Sequence, residues 1–126
     1  MKIVFDTSIL VDESRNYAPA VKLVEKVAKK EIEGCISGIT EAEMLSGGNC
    51  KKEDVIRKTM DLLSLFTEIE IDKLILRKAA EFRRTYGTDL LDAIIAATAF
   101  HQNCRLWTKN KKDFEKIKDI KTEMPY

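Results

Sequence analysis

Short apolar runs alternate with longer segments of helical character along the whole chain, and this alternation limits the possible folds more than any other feature. The β-rich runs are predicted as strands: Lys2–Phe5, Gly34–Gly38, Phe66–Ile71, Cys104–Thr108 and Lys121–Met124. The segments between them are predicted as helices: Ser8–Glu13, Ala18–Glu31, Thr40 to Gly47, Lys51–Leu65, Asp72–Tyr86, Asp89–Phe100 and Lys111–Lys116. This order indicates parallel β-α-β units, so we predict an α/β fold, a three-layer α/β/α sandwich with a central, mostly parallel sheet of about five strands.

The composition indicates one folded domain, residues 1–126, rather than a disordered or membrane-spanning chain. Hydrophobic residues make up 44% of the sequence and charged residues 34%, which is typical of globular proteins. No apolar run approaches the ~20 residues of a membrane span, and the N-terminus lacks a cleavable signal pattern, so we expect a cytoplasmic protein. Because the net charge is only +1, any binding to nucleic acid needs a local basic patch.

The cysteines and the single histidine are not predicted to form a site. Cys35, Cys50 and Cys104 are widely spaced and contain no C-x-x-C pair, so we expect free, buried thiols. Together with His101 they match no zinc-binding pattern. His101 follows a long apolar helix, where we expect it to meet the helix dipole or solvent.

That helix, "DLLDAIIAATAF" from Asp89 to Phe100, has two acids at its start and no charge afterwards. An uncharged helix of this kind is predicted to be buried on nearly every side. We expect Asp89 to cap it. Asp92 lies one turn further in, on a face of small residues, and is predicted to point at a metal ion.

Four acids are predicted to meet at one edge of the sheet. Asp6 directly follows the first strand, and Glu43 and Asp113 come shortly after the second and fourth. The helix that contains Asp92 leads into the fourth strand, so it must begin at the carboxyl edge. Ligands bind at this edge in open parallel sheets. Four clustered carboxylates repel one another and need a cation to stay ionised, and oxygen ligands favour Mg²⁺ or Mn²⁺.

A structural explanation of the acids stays open beside the metal site. Three of them stand three residues after a possible N-cap, the spacing of a capping box: Thr40–Glu43, Asp89–Asp92 and Asn110–Asp113. Asp6 does not share this explanation, because Thr7 or Ser8 is the better cap for the following helix.

The chemistry predicted for such a metal site is hydrolysis of a phosphodiester by water. The alternative route, attack by the RNA 2′-OH, uses general acid–base groups that are typically histidines, and the chain has one His. No G-x-S-x-G, P-loop or G-x-G-x-x-G motif is present, so a serine hydrolase or a nucleotide-binding domain is not indicated.

Four motifs in order, "IVFDTSILVD", "ITEAEML", "LLDAIIAATA" and "LWTKNKKDF", resemble those of the PIN-domain family. Within that family they most resemble VapC-type toxins of toxin–antitoxin pairs. The resemblance covers nearly the whole chain, although Gly47 to Thr88 matches only in pattern. It implies a Mg²⁺- or Mn²⁺-dependent ribonuclease, usually a homodimer, that is held inactive by a small VapB-type antitoxin.

The resemblance also assigns roles to individual residues. By motif, the acidic quartet is Asp6, Glu43, Asp92 and Asp113, with no departure from the family pattern at any of them. It further implies that Thr7 or Ser8 hydrogen-bonds a metal-bound water and that Asn110 steadies the fourth acid.

Basic residues flank the predicted site and have two interpretations. They are either solvated surface charges or contacts to RNA phosphates at the rim of the acidic site: Arg83, Arg84, Lys109, Lys111 and Lys112. The apolar stripe of Ile56, Met60 and Leu63 likewise either belongs to the core or lines a groove for a partner helix. We expect the antitoxin to pack along the Thr40–Leu65 helices and to reach the acids with an arginine.

Three other functions stay open at this point. A signalling receiver domain also has acids and Mg²⁺ at this edge, and Thr108–Lys109 is compatible with one, but it requires paired acids directly after the first strand. A PIN module that binds RNA or protein without cleaving would lack one of the four acids. A PIN nuclease that matures or degrades RNA cannot be separated from a toxin by this sequence.

Overall fold

Five strands form a single sheet in a computed structural model that describes residues 1–126. The strands are β1 (Lys2–Phe5), β2 (Glu33–Ser37), β3 (Thr67–Ile69), β4 (Arg105–Trp107) and β5 (Thr122–Glu123). Their order across the sheet is β3-β2-β1-β4-β5, and every neighbouring pair is parallel. The predicted α/β fold with a parallel sheet of five strands is confirmed.

Helices cover both faces of this sheet. They are α1 (Thr7–Ser14), α2 (Ala18–Ala28), α3 (Gly38–Leu45), α4 (Glu53–Leu63), α5 (Lys73–Tyr86) and α6 (Leu90–Gln102), with 3₁₀ helices at Gly48–Lys51 and Lys111–Asp113. Ile3 and Phe5 of β1 belong to one buried apolar cluster and Val4 to another, because successive side chains of a strand point to opposite faces. The predicted three layers are therefore present. No helix is long and apolar enough to cross a membrane.

Several elements are shorter than the sequence predicts. The α2 helix ends at Ala28 instead of Glu31 because Lys30 has a φ of 62°, a left-handed conformation that a helix cannot continue through. The predicted helix Lys111–Lys116 is only a 3₁₀ turn. The two edge strands, β3 and β5, have only three and two residues, and such short edges limit pairing with another chain.

The apolar stripe predicted on α4 does not form one buried face. Leu63 is buried, but Met60 is 54% exposed. The buried face instead contains Thr59 and Leu62. Thr59 is tolerated there because its hydroxyl donates a 2.8 Å hydrogen bond to the Val55 carbonyl, so no polar group is left unsatisfied. The core interpretation of this stripe is wrong for Met60.

The α6 helix is buried as predicted, and it orients the acids at its start. Every residue from Ala93 to Ala99 is 7% exposed or less. Small side chains let α6 approach both α5 and the sheet closely, and Thr98 satisfies its hydroxyl on the Ile94 carbonyl at 2.8 Å. His101 is exposed in the last turn of α6. All three cysteines are free as predicted, but only Cys35 is buried, and Cys50 and Cys104 are half-buried.

Candidate active site

The four predicted acids lie at the carboxyl edge of the sheet. Asp6 occupies the position between β1 and α1, and Glu43 lies in α3, which directly follows β2. Asp92 lies in the first turn of α6, and Asp113 in the 3₁₀ helix after β4. Because parallel strands all end at this edge, residues from four distant parts of the chain meet there.

Asp6 is a buried carboxylate that is held from two sides. It is 5% exposed, and its Oδ2 accepts hydrogen bonds from the hydroxyls of Ser8 and Thr108, both at 2.7 Å. Its backbone N–H donates to the Trp107 carbonyl at 2.8 Å. Hydroxyl donors stabilise a buried anion, so the carboxylate is fixed in orientation while Oδ1 has no protein donor.

Glu43 is held by a chain of hydroxyls. The Thr7 hydroxyl donates to Glu43 Oε1 at 2.7 Å, and it lies 2.9 Å from the Thr40 hydroxyl. Since Thr7 has a single hydroxyl proton and gives it to Glu43, Thr40 is the donor to Thr7. Thr7 and Ser8 were expected to reach a metal-bound water. In this structure both hydroxyls donate to carboxylates, and contact of either one with a metal-bound water stays a prediction.

Asp92 is a carboxylate of perturbed acidity. Burial is the largest cause that raises the pKa of Asp92, and the nearby carboxylates of Asp6, Asp113, Asp89 and Glu43 add to it in that order of effect. Together these causes bring the pKa to about 6. No hydrogen bond offsets these effects. A carboxylate so placed gains stability from a proton or a cation at neutral pH.

Helix capping does not explain these acids. Asp89 occupies the N-cap position of α6 as predicted, but its side chain accepts no capping hydrogen bond. The Asp89 side chain is exposed. Thr40 is not the cap of α3 either, because Ser37 fills that role and accepts from the Ile39 N–H at 3.2 Å. Asn110 also makes no side-chain capping bond.

The donor atoms suit a hard divalent cation, although they do not form a closed cage. No three acidic, histidine or cysteine side chains converge closely enough to hold a metal by themselves. Glu43 keeps Oε2 and Asp6 keeps Oδ1 free of protein donors. Mg²⁺ is commonly bound by one or two carboxylates, with water and substrate phosphates completing its octahedron. A set of oxygen ligands fits this mode when one carboxylate, here Asp92, has no hydrogen-bond donor and a raised pKa.

A family model for the PIN domain matches residues 3–120. This chain belongs to the PIN-domain family. Ribonuclease VapC1 of Methanocaldococcus jannaschii is 32% identical over 125 residues, which cover 94% of this chain and 83% of that protein. Ribonuclease VapC2 of the same organism is 29% identical over 137 residues, with 92% and 89% covered. The predicted resemblance to PIN domains and to VapC proteins is confirmed.

Solved structures agree with this assignment. A toxin–antitoxin complex from Klebsiella pneumoniae superposes with a TM-score of 0.83 at 33% identity and covers 98% of both chains. VapBC2 from Rickettsia felis, bound to a DNA fragment from their promoter, gives 0.82 at 25% identity and also covers 98% of both chains. The sandwich described above is therefore the PIN fold over nearly its full length.

The basic residues predicted to contact RNA are not equivalent in this PIN domain. The Lys109 ammonium lies 2.8 Å from Asp12 Oδ1, so its charge is already neutralised, and the phosphate role predicted for it is not supported. Lys111 and Lys112 are exposed beside Asp113. Arg83 and Arg84 lie in the last turn of α5, where positive charge also stabilises the helix dipole.

Three residues of this PIN domain that support the site were missed by sequence reasoning. Thr108 and Thr40 are fully buried and direct hydroxyls into the acidic network. Asn110, predicted to steady the fourth acid, acts through its backbone, since its N–H donates to Thr108 Oγ1 at 2.9 Å and its carbonyl accepts from Asp113 N–H at 3.0 Å. The third missed residue is Asp12. It stands three residues after Ile9, on the buried face of α1, and an acid at such a position could have drawn attention to it.

Proposed function

We propose that residues 1–126 form a single PIN domain that cleaves RNA in the cytoplasm, as a Mg²⁺- or Mn²⁺-dependent ribonuclease and the toxin of a type II toxin–antitoxin pair. The observation that carries this proposal is Asp92, a half-buried carboxylate without a hydrogen-bond donor, whose pKa is raised by burial and by Asp6, Asp113 and Glu43. Fixed acids that repel one another are suited to cation binding. Relatives named ribonucleases support the choice of RNA.

In this proposal the cation lies among Asp6, Glu43, Asp92 and Asp113, and water and substrate phosphates complete its coordination. A bound Mg²⁺ or Mn²⁺ acidifies water and neutralises phosphate charge during in-line hydrolysis. The hydroxyls of Ser8 and Thr108 prevent Asp6 from rotating, and that of Thr7 does the same for Glu43. Hydrogen-bonded acids of this kind keep their geometry as substrate enters, which lowers the cost of reaching the transition state.

The position of the single histidine supports hydrolysis by water over attack by the 2′-OH. His101 lies nine residues after Asp92 on α6, which separates the two by about 13 Å along the helix axis. It is also exposed at the opposite end of that helix. A general acid or base must lie within hydrogen-bond reach of the proton that it transfers, and His101 does not meet this requirement.

Partners are part of the same proposal. We expect a small VapB-type antitoxin, since solved structures of toxin–antitoxin complexes resemble this chain, and an arginine from it would pair with the unneutralised acids. Candidate contacts for the homodimer that the family resemblance implies are separate exposed leucines in the first turns of α5 and α6. They are Leu74 and Leu76 on α5 and Leu90 and Leu91 on α6.

The decisive test is cleavage of a labelled single-stranded RNA by the purified protein with Mg²⁺, with Mn²⁺ and with EDTA. We expect cleavage only with a metal, and products with a 5′-phosphate, because water attacks phosphorus and the 3′-oxygen leaves. The Asp92→Asn protein serves as the matched control for contaminating nucleases. Full activity in EDTA, or products ending in a 2′,3′-cyclic phosphate, would refute the mechanism.

The toxin role has a separate test in cells. Induced expression of the wild-type chain should stop growth, whereas the Asp6→Ala form should not. Co-expression with a short gene adjacent to this one should restore growth, and the two proteins should co-purify. If the chain is harmless at high expression while the purified protein cleaves RNA, an RNA maturation or decay role replaces the toxin role.

A further inference from the structure

A cavity of about 610 Å³ opens beside the acidic edge and has no role in the mechanism above. It lies between the C-terminal end of α1 and the segments that follow β4 and β5. Its lining contains two tyrosines, two basic side chains, two asparagine amides and one carboxylate. Aromatic faces next to hydrogen-bonding groups are the features with which proteins hold an unstacked nucleobase.

The floor of the cavity is built around Asp12. This residue is 6% exposed, and its two carboxylate oxygens accept from the Lys109 ammonium at 2.8 Å and from the Tyr126 hydroxyl at 2.7 Å. A buried anion with two donors fixes both partners in place. The cavity is therefore preorganised instead of being a gap between mobile surface side chains.

An aromatic face is open to this cavity. Tyr17 is 51% exposed, and its ring centroid lies 5.6 Å from that of Tyr126 with the rings tilted by 57°. Tyr126 is fixed through Asp12 and supports Tyr17 from one side only. The remaining surface of the Tyr17 ring offers a stacking platform, which any of the four bases can use because each has a π face.

Two short hydrogen-bonded paths connect the cavity to Asp6. The Lys109 N–H donates to the Ser8 hydroxyl at 3.2 Å, and Ser8 donates to Asp6. The Asn110 N–H donates to the Thr108 hydroxyl at 2.9 Å, and Thr108 also donates to Asp6. A nucleotide bound in the cavity thus lies beside the acids. The lining contains two positive side chains, Arg15 and Lys109, and one negative side chain, Asp12, so one positive charge is left to contact the phosphate.

We propose that this cavity is a nucleobase subsite, which binds one unstacked base of single-stranded RNA next to the phosphate that is cleaved. The base stacks on Tyr17, the amides of Asn16 and Asn110 meet its hydrogen-bonding edge, and Arg15 contacts the flanking phosphate. The inference rests on the proposed ribonuclease function and adds to it the recognition of an unpaired nucleotide. The surplus positive charge and the path to Asp6 favour RNA over a peptide as the occupant.

The test is a binding experiment that does not depend on cleavage. A short single-stranded RNA containing every dinucleotide step is labelled. Its affinity is measured by fluorescence anisotropy for protein that carries Asp92→Asn, the background variant, so that the RNA is bound without being cleaved. Tyr17→Ala should weaken binding by about tenfold or more, the loss expected from one stacked base. Tyr17→Phe keeps the ring and should bind as the background does. Thr67→Ala, exposed on the edge strand β3 and outside the cavity, is the matched surface control.

The same RNA is then made with an abasic nucleotide at each position in turn. In the background protein, an abasic nucleotide at one position should lower the affinity as much as Tyr17→Ala does. The same abasic RNA should bind the Tyr17→Ala variant no more weakly than the intact RNA does. Tyr17→Leu, which keeps bulk but has no π face, should behave as Tyr17→Ala does. Unchanged affinity in Tyr17→Ala, or equal losses of affinity at every abasic position, overturns the subsite. This outcome is also the one expected if the cavity binds a protein segment. Absence of metal-dependent cleavage by the wild type instead overturns the ribonuclease.

Discussion

Thr108, at the end of β4, donates a 2.7 Å hydrogen bond to Asp6, at the end of β1, across a sequence separation of 102 residues. The two strands are parallel neighbours in which Phe5 pairs with Trp107, so the residues that follow them lie side by side. Thr108 is completely buried. Its hydroxyl therefore has no competing water and is committed to orienting the Asp6 carboxylate.

Removal of this hydroxyl should impair cleavage without unfolding the protein. Thr108→Val keeps the branched shape but leaves Asp6 with Ser8 as its only hydroxyl donor. We expect RNA cleavage to fall by about 10–100-fold, the usual effect of losing a group that orients a metal ligand. Thr108→Ser keeps the hydroxyl and should retain most activity. If both variants cleave as the wild type does, Thr108 has no positioning role.

Asp92 and Asp89 should respond differently to the same conservative change. Asp92→Asn removes a charge from the centre of the acid group and should abolish metal-dependent cleavage. Asp89→Asn should keep substantial activity, because the Asp89 side chain is exposed and makes no capping bond. Single-turnover cleavage at saturating Mg²⁺ compares the two. Loss of activity in Asp89→Asn with retention in Asp92→Asn would reverse the assignment.

Asp92 should also make the metal-free protein depend on pH. Its pKa rises from 3.8 to about 6 on folding, so the folded state binds this proton more tightly than the unfolded state does. Its contribution to the free energy of unfolding is therefore fully present below pH 3.8 and is lost as the pH rises through about 6. Asp92→Asn should remove this loss and stabilise the metal-free protein at pH 7 by about 1–2 kcal/mol, after allowance for solvent screening.

Urea unfolding in EDTA between pH 4 and pH 8 measures this effect. The advantage of Asp92→Asn over the wild type should grow with pH through the interval given above. Addition of Mg²⁺ should then stabilise the wild type more than the variant, because the cation binds the folded wild type. A pH-independent difference between the two proteins would show that Asp92 is not perturbed as described.

Substitution of Gly34 in β2 should destabilise the protein, because neighbouring side chains leave no space for a Cβ atom there. A Cβ atom there would lie 2.8 Å from Phe66 Cδ2 and 3.0 Å from Val27 Cγ1. Gly34→Ala must displace the buried Phe66 ring, so we expect it to destabilise the protein by about 1–3 kcal/mol. Gly48→Ala is the matched control, since no atom lies within 4 Å of its Cβ position, and it should change stability by less than about 0.5 kcal/mol. The midpoints of urea unfolding measure the change in stability of both variants.

Much of the architecture was accessible from local sequence patterns. The alternation of β-rich and helical segments predicted the parallel sheet, and the uncharged run Ala93–Phe100 predicted a buried α6. The carboxyl edge as the place where Asp6, Glu43, Asp92 and Asp113 gather also followed, because the chain direction of parallel strands determines where each strand ends. These features depend on periodicity and connectivity, which are properties of the sequence itself.

Other features required the tertiary structure. Spacing suggested that the side chains of Asp89 and Thr40 cap helices, yet Asp89 makes no side-chain capping bond and Ser37 caps α3. On α4 the buried face contains Leu63 of the predicted stripe but Thr59 and Leu62 in place of Met60, because helical spacing alone does not select which face packs against the core.

The sequence by itself determined the order of the elements and the acids that would reach one edge, since hydrophobic periodicity and strand direction act locally along the chain. Only the tertiary structure decided that Thr108 orients Asp6, that Lys109 pairs with Asp12, and that Tyr17 is left with an open face. These relationships join residues about a hundred positions apart. They depend on strand register and side-chain rotamers, which form only when the layers pack together.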